Sequence, residues 1–300
     1  MLVSMKEILD RASIGGYAVA APNVGHELDA RAAIEVAEEL NSPLILDVGY
    51  GANPDIYFYG HMLRYLCEQS TVPICINLDH GASYEACANA IRAGFTSVMI
   101  DRSSYSYEDN VSDTKQVVEL AHACGVSVEA ELGHVGQAGN YAEDGYSALT
   151  TPEEAKKFIE ETGVDMLAVA IGTAHGAYPK GEKPFIRHEN LKAIKEAVGQ
   201  EFPLVLHGSS GTDEEDLKKV CANGINKVNI ANDLCNAVTS VLNEAQLEGQ
   251  AAYGVWALAK KGCKDKLRHM MKAVYCSAGK AWDVPRAGMP GVEQGSMEEK

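Results

Sequence analysis

Eight short apolar, β-branched runs recur along the chain, and longer stretches with helical periodicity separate them. The runs are 17–23, 43–48, 73–78, 97–101, 127–132, 166–171, 204–207 and 227–230. They are near-continuous rather than alternating, as expected for parallel strands covered on both faces by helices. The helical stretches carry their own punctuation. Residues 28–40 place Ala32, Ala33, Val36, Ala37 and Leu40 on one face. Ser83 caps 84–93, which closes at Gly94, and 110–124 closes at Gly125. Thr151-Pro152 opens a helix that ends at Gly163; 190–198 closes at Gly199, and 212–222 closes around Asn223-Gly224.

Strand followed by helix, eight times over, predicts an α/β fold of the TIM (β/α)8 barrel type. A doubly wound open sheet is the alternative, but Gly-x-Gly-x-x-Gly is missing after the first strand. Past Asp233 no strand signal follows, which predicts extra C-terminal helices. Residues 1–287 then form one barrel domain, and the Gly- and Glu-rich 288–300 a flexible tail. Val255, Trp256, Leu258, Met270, Met271 and Val274 of those helices suit either a subunit interface or packing on their own barrel.

A formal net charge of −16 repels phosphate backbones and argues against a nucleic-acid partner. The first ten residues do not read as a signal peptide, and no run reaches the roughly 18 apolar residues of a membrane span. The eight cysteines are scattered without a CxxC pair, the pattern of reduced thiols in a cytoplasmic protein.

Barrel chemistry sits at the C-terminal strand ends. Three of these end in histidine followed by glycine: Asp79-His80-Gly81, Ala174-His175-Gly176 and Leu206-His207-Gly208. One such histidine alone reads as a satisfied rim residue. Three of the nine histidines at equivalent rim positions read as a metal site, since a catalytic zinc takes three protein ligands and leaves one position open. Three imidazoles also suit cobalt or iron. Asp79, beside His80, either carries a proton or orients a ligand. Gly208-Ser209-Ser210-Gly211 precedes a helix start near Thr212, and its N–H groups and hydroxyls are suited to a phosphate.

As a set, these motifs resemble the class II fructose-bisphosphate/tagatose-bisphosphate aldolase family, from Tyr17 to about Ala281. They are Pro22-Asn23-Val24, LDHG, VMID, VEAELG, AIGTAHGAY, LHGSSG, KVNIAND and SAGKA. The resemblance implies aldol cleavage of a phosphorylated ketose to dihydroxyacetone phosphate and an aldehyde, with a catalytic Zn²⁺ on His80, His175 and His207. It makes Asp79 the proton carrier. It assigns Asp101 and Glu131 to an alternative or second divalent position, and the carbonyls of Gly172, Gly176 and Gly208 to a monovalent cation. Asn23, Gly176, Gly208, Ser209, Ser210, Asn229, Ile230, Ala231 and Asn232 would bind the substrate and its phosphate, with Asn229 facing the enediolate. An acid in 136–146, Glu143 or Asp144, would protonate it. A homodimer or homotetramer is implied as well. Four departures bear on substrate identity: Gly49 stands where the family has serine, Asn232 where it has threonine, Arg102 follows Asp101, and 134–144 replaces a compact loop. The same chemistry on another phosphorylated or acidic ketose is the second reading, and a non-catalytic metal-binding barrel the third.

Overall fold

The computed structural model describes residues 1–138, 149–176, 178–179 and 181–284. Eight parallel strands form one sheet in the order β1-β8-β7-β6-β5-β4-β3-β2. They are β1 (Val19–Pro22), β2 (Leu44–Gly49), β3 (Ile74–Gly81), β4 (Ser97–Ile100), β5 (Ser127–Leu132), β6 (Met166–Val169), β7 (Leu204–Leu206) and β8 (Ile225–Ile230). Val24 N–H donates to Asp47 O at 2.9 Å, beside a parallel bridge between Asn23 and Asp47, and this joins β1 to β2. The (β/α)8 expectation is borne out.

The helices form where the sequence supplies their ends. Ser83 accepts from Ala86 N–H at the start of α4 (Tyr84–Arg92), and Thr151 from Glu154 N–H ahead of Pro152 in α6 (Pro152–Thr162). Gly163 closes α6 in the left-handed conformation. Ser106 caps α5 (Tyr107–Ala123), so that helix starts earlier than its apolar periodicity suggested. The remaining crossover helices are α2 (Glu27–Glu39), α3 (Ile56–Gln69), α7 (His188–Val198) and α8 (Glu214–Ala222).

A further helix, α1 (Met5–Gly15), precedes β1. Its Met5, Ile8, Leu9 and Ala12 pack against Val19, Ala21, Ile45, Cys75, Met166, Ala168 and Val205, the inward residues of the strands. This plug fills the N-terminal mouth of the barrel, while a larger core lies between strands and outer helices. Inward positions recur every second residue. Ile45 is followed by Asp47, Cys75 by Asn77 and Asp79, Lys227 by Asn229, and Val205 by His207. The barrel therefore rises from an apolar floor through a buried polar layer to the rim.

The C-terminal segment forms α9 (Asn232–Glu244) and α10 (Val255–His269), which runs on as a π-helix over Met270–Val274. Met270, Met271 and Val274 are buried on their own barrel, whereas Tyr253 and Trp256 are exposed. All eight cysteines are unpaired, and five are buried. Among the described residues no helix is long and apolar enough to cross a membrane.

Candidate active site

The site is built on a local irregularity. The register of β3 against β4 shifts between Leu78 and Gly81, and His80 adopts φ +57°, a left-handed conformation rare for a residue with a side chain. In a regular strand, neighbours face opposite sides. Here the bulge turns both Asp79 and His80 into the mouth of the barrel, at a strain on the order of 1 kcal/mol.

The three rim histidines meet there. Their ring centroids lie 4.7 Å (His80–His207), 4.8 Å (His80–His175) and 5.7 Å (His175–His207) apart, all edge-on. His80 Nε2 is 2.9 Å from His207 Nδ1. Ligand atoms of His80, Glu131, His175 and His207 all fall within 4.8 Å of one another. His175 Nε2 and Glu131 Oε2 are buried and, among the described residues, without a hydrogen-bond partner. Orphaned acceptors converging on one point are what a divalent cation requires, and this donor set fits one. Burial, helped by the charges of His207 and His80, pulls the His175 imidazole down to about 3, so it is neutral and able to ligate. Burial and the nearby Asp101 charge push Glu131 up to about 8.

Asp101 stands outside this quartet. It accepts from His80 Nδ1 at 2.7 Å and from the Ser103 hydroxyl and N–H at 2.7 and 3.0 Å. This fixes the His80 ring with Nε2 toward the centre. The His175 loop is held by its own backbone: His175 N–H donates to Gly136 O, and His175 O accepts from Ala138 N–H, both at 2.8 Å. The Thr173 hydroxyl donates to His207 O at 2.7 Å, tying the second and third histidine segments together.

Asp79 lies beside the cluster, Oδ1 at 3.8 Å from His80 Nε2. Its two oxygens accept from Asn23 Nδ2 (2.6 Å) and Asn229 Nδ2 (3.0 Å), so β1, β3 and β8 meet on one carboxylate. Burial alone would raise its carboxyl, but His80, His207, Lys227 and the Asn23 hydrogen bond outweigh it and hold the group at about 2. Asn229 Oδ1 is buried without a partner. Gly208 (φ +64°), Ser209 and Ser210 follow His207; the Ser209 hydroxyl donates to Asn229 O, and Ser210 Oγ accepts from Asp233 N–H at 3.2 Å. The 208–210 loop is thereby docked on the segment Asn229, Ile230, Ala231 and Asn232 that leads into α9. Gly176 follows His175 with φ +90°. Arg102 turns outward: its Nε pairs with Asp113 at 2.6 Å, and its guanidinium stacks on Tyr105. Glu143 and Asp144 lie outside the described residues.

Residues 3–280 match the family model described as Fructose-bisphosphate aldolase class-II. The chain belongs to this family. Among its relatives, the fructose-bisphosphate aldolase of Thermus caldophilus is 44% identical, over 81% of this chain and 87% of that one. The fructose-bisphosphate aldolase of Geobacillus stearothermophilus is 43% identical, over 81% and 85%. Among solved structures, the YdjI aldolase of Escherichia coli K12 superposes with a TM-score of 0.83 at 34% identity, covering 94% of this chain and all of that one. This member of the class II aldolases is therefore a lyase, built on the barrel its strand pattern predicted.

Sequence reasoning missed the layer beneath the rim. Lys227 Nζ is bonded to Glu129 Oε2 (2.9 Å) and Asp47 Oδ2 (3.1 Å), Asn77 donates to Asp47 at 2.9 Å, and all four residues are fully buried. The available signal was a charge inside an apolar strand, two residues before Glu131 and Asn229.

Proposed function

We propose that the chain catalyses reversible aldol cleavage of a ketose 1,6-bisphosphate, of the fructose or tagatose type, to dihydroxyacetone phosphate and glyceraldehyde 3-phosphate. The observation that carries this reading is the convergence of His80, His175 and His207 beside an ionised Asp79. We propose zinc as the metal on the three histidines, with Glu131 in reach as a further ligand and Asp101 behind His80. Zinc held there supplies a Lewis acid that draws electron density from the substrate carbonyl.

The protein does the rest. Asp79, fixed through both oxygens by Asn23 and Asn229, is positioned to take the proton of the substrate C4 hydroxyl on cleavage and to return it on condensation. The unpartnered Asn229 Oδ1 suits a substrate hydroxyl. Gly176, Gly208, Ser209, Ser210, Ile230, Ala231 and Asn232 are assigned to the dihydroxyacetone phosphate end, where helix α9 opens toward the 208–210 loop. Glu143 is assigned as the acid that completes protonation. A second divalent ion or a monovalent cation, a homodimer or homotetramer, and a cytoplasmic location belong to the same proposal.

Gly49 favours keeping a second substrate open. It sits at the end of β2 with only the Ala52 methyl near the place a side chain would occupy, so it offers the substrate no hydroxyl. The same chemistry on another phosphorylated or acidic ketose is the alternative. Metal analysis together with a cleavage assay over a panel of ketose phosphates, with and without chelator, decides between them. Chelator-insensitive cleavage, or no cleavage of any member, would remove the proposal.

A further inference from the structure

His207 is fully buried and uses both ring nitrogens. Nδ1 faces His80 Nε2 at 2.9 Å, and Nε2 lies 2.7 Å from Glu129 Oε1. The other oxygen of Glu129 is bonded to Lys227 Nζ at 2.9 Å, and Lys227 is held from its far side by Asp47 at 3.1 Å. An ammonium has donors only, so the oxygen facing it must accept, and a carboxylate has acceptors only. Glu129 can therefore pair with His207 only when Nε2 carries the proton. The ring then presents its lone pair on Nδ1, toward the three other ligand groups.

We propose that Glu129, clamped by Lys227, is a positioning residue that sets the tautomer and aim of His207 for metal binding. Asp101 does the corresponding work for His80, but through the opposite ring nitrogen, so the two histidines offer Nδ1 and Nε2 respectively. The inference rests on the metal reading given above. It adds the claim that the ligand face of His207 is dictated from inside the barrel, by a chain of buried charges that touches no substrate.

Glu129→Gln tests it. The change leaves Lys227 paired with Asp47, so the buried charge stays balanced. The new amide cannot satisfy both neighbours. With its oxygen toward His207, its NH₂ meets the Lys227 ammonium; with its NH₂ toward His207, the ring must move its proton to Nδ1, where the metal belongs. Zinc titration of metal-stripped protein against a competing chelator is expected to show a 10–100-fold weaker dissociation constant than wild type. The thermal midpoint of the metal-stripped variant should stay within a few degrees of wild type, a separation that a merely structural role would not give. Affinity within twofold of wild type would overturn the inference. So would a loss of affinity that disappears once the variants are compared at equal fractions folded.

A second measurement reads the proton on the wild-type chain itself. Histidine ¹⁵N NMR of the zinc-loaded wild-type chain, with the resonance assigned by its loss in His207→Gln, should show the His207 proton on Nε2. A proton on Nδ1 would overturn the inference. Wild type that takes up no zinc would instead sink the metal reading itself, and the two failures are thereby distinguished.

Discussion

Gly208→Ala places one methyl group between the segments that carry His175 and His207. Gly208 has φ +64°, and a Cβ there would lie 2.5, 2.6 and 2.8 Å from the O, C and N of Ala174. These are backbone atoms adjacent to His175 and cannot rotate away. Ordinary contact begins near 3.4 Å, so the 174 and 208 segments must part by about 1 Å. The left-handed conformation adds on the order of 1–2 kcal/mol for a residue with a Cβ. Overpacking of a fitted interior adds about 1–3 kcal/mol. The expected destabilisation is thus about 2–5 kcal/mol, which in a chain of this size lowers the thermal midpoint by roughly 3–8 °C. The Thr173 to His207 bond clamps these same segments, so the separation reaches both histidines. Metal sites tolerate distance errors of about 0.2 Å, so zinc affinity should fall at least about tenfold. Differential scanning of the metal-stripped variant, followed by zinc titration against a chelator, measures both effects. Full stability with wild-type affinity would refute the steric reasoning. Lost stability with intact affinity would show that the two segments move as one piece and that the clamp does not transmit strain to the ligands.

Asp79→Ala should keep zinc affinity within about threefold while cleavage falls by about 10²–10⁴-fold; cleavage at the wild-type rate would remove Asp79 as the proton carrier. Gly49→Ser meets open space, so stability should change by no more than about 0.5 kcal/mol. If a serine hydroxyl there holds the substrate, KM for a ketose 1,6-bisphosphate should drop several-fold, and an unchanged KM across the ketose panel would place position 49 outside the substrate's reach. Lys195 is buried, donating to Ser13 Oγ and Phe202 O with no carboxylate partner among the described residues, and burial pulls its ammonium down to about 8. Between about 8 and the ordinary 10.5 the unfolded chain binds the extra proton, so stability rises with pH across that window. Relative to Lys195→Met, wild type should gain on the order of 2 kcal/mol in urea unfolding between about pH 7.5 and 9.5; a flat or falling difference would contradict this.

The fold was legible because parallel strands and their covering helices leave different apolar periods, and the histidines because glycine followed each at a strand end. Helix α1 carries a readable pattern in Met5, Ile8, Leu9 and Ala12, but its place inside the barrel mouth depends on contacts with five strands. Helix α3 was obscured because Phe58 and Tyr65 are exposed on it, which blurs any single apolar face. The bulge in β3 could not be read, since nothing local obliges a histidine to adopt a left-handed backbone. Glu129 and Lys227 are visible as charges in apolar runs, but their pairing spans 98 positions and exists only through the barrel register. Asp101 was placed among the metal positions by resemblance; the geometry puts it behind His80.

Inserting one residue between Asp79 and His80 would change their phase along β3 and swing one of them out of the mouth. The proposed base and the proposed metal ligand are thus adjacent letters in a fixed reading frame. Their spacing is as constrained as their identities, because the bulge between Leu78 and Gly81 sets both directions at once.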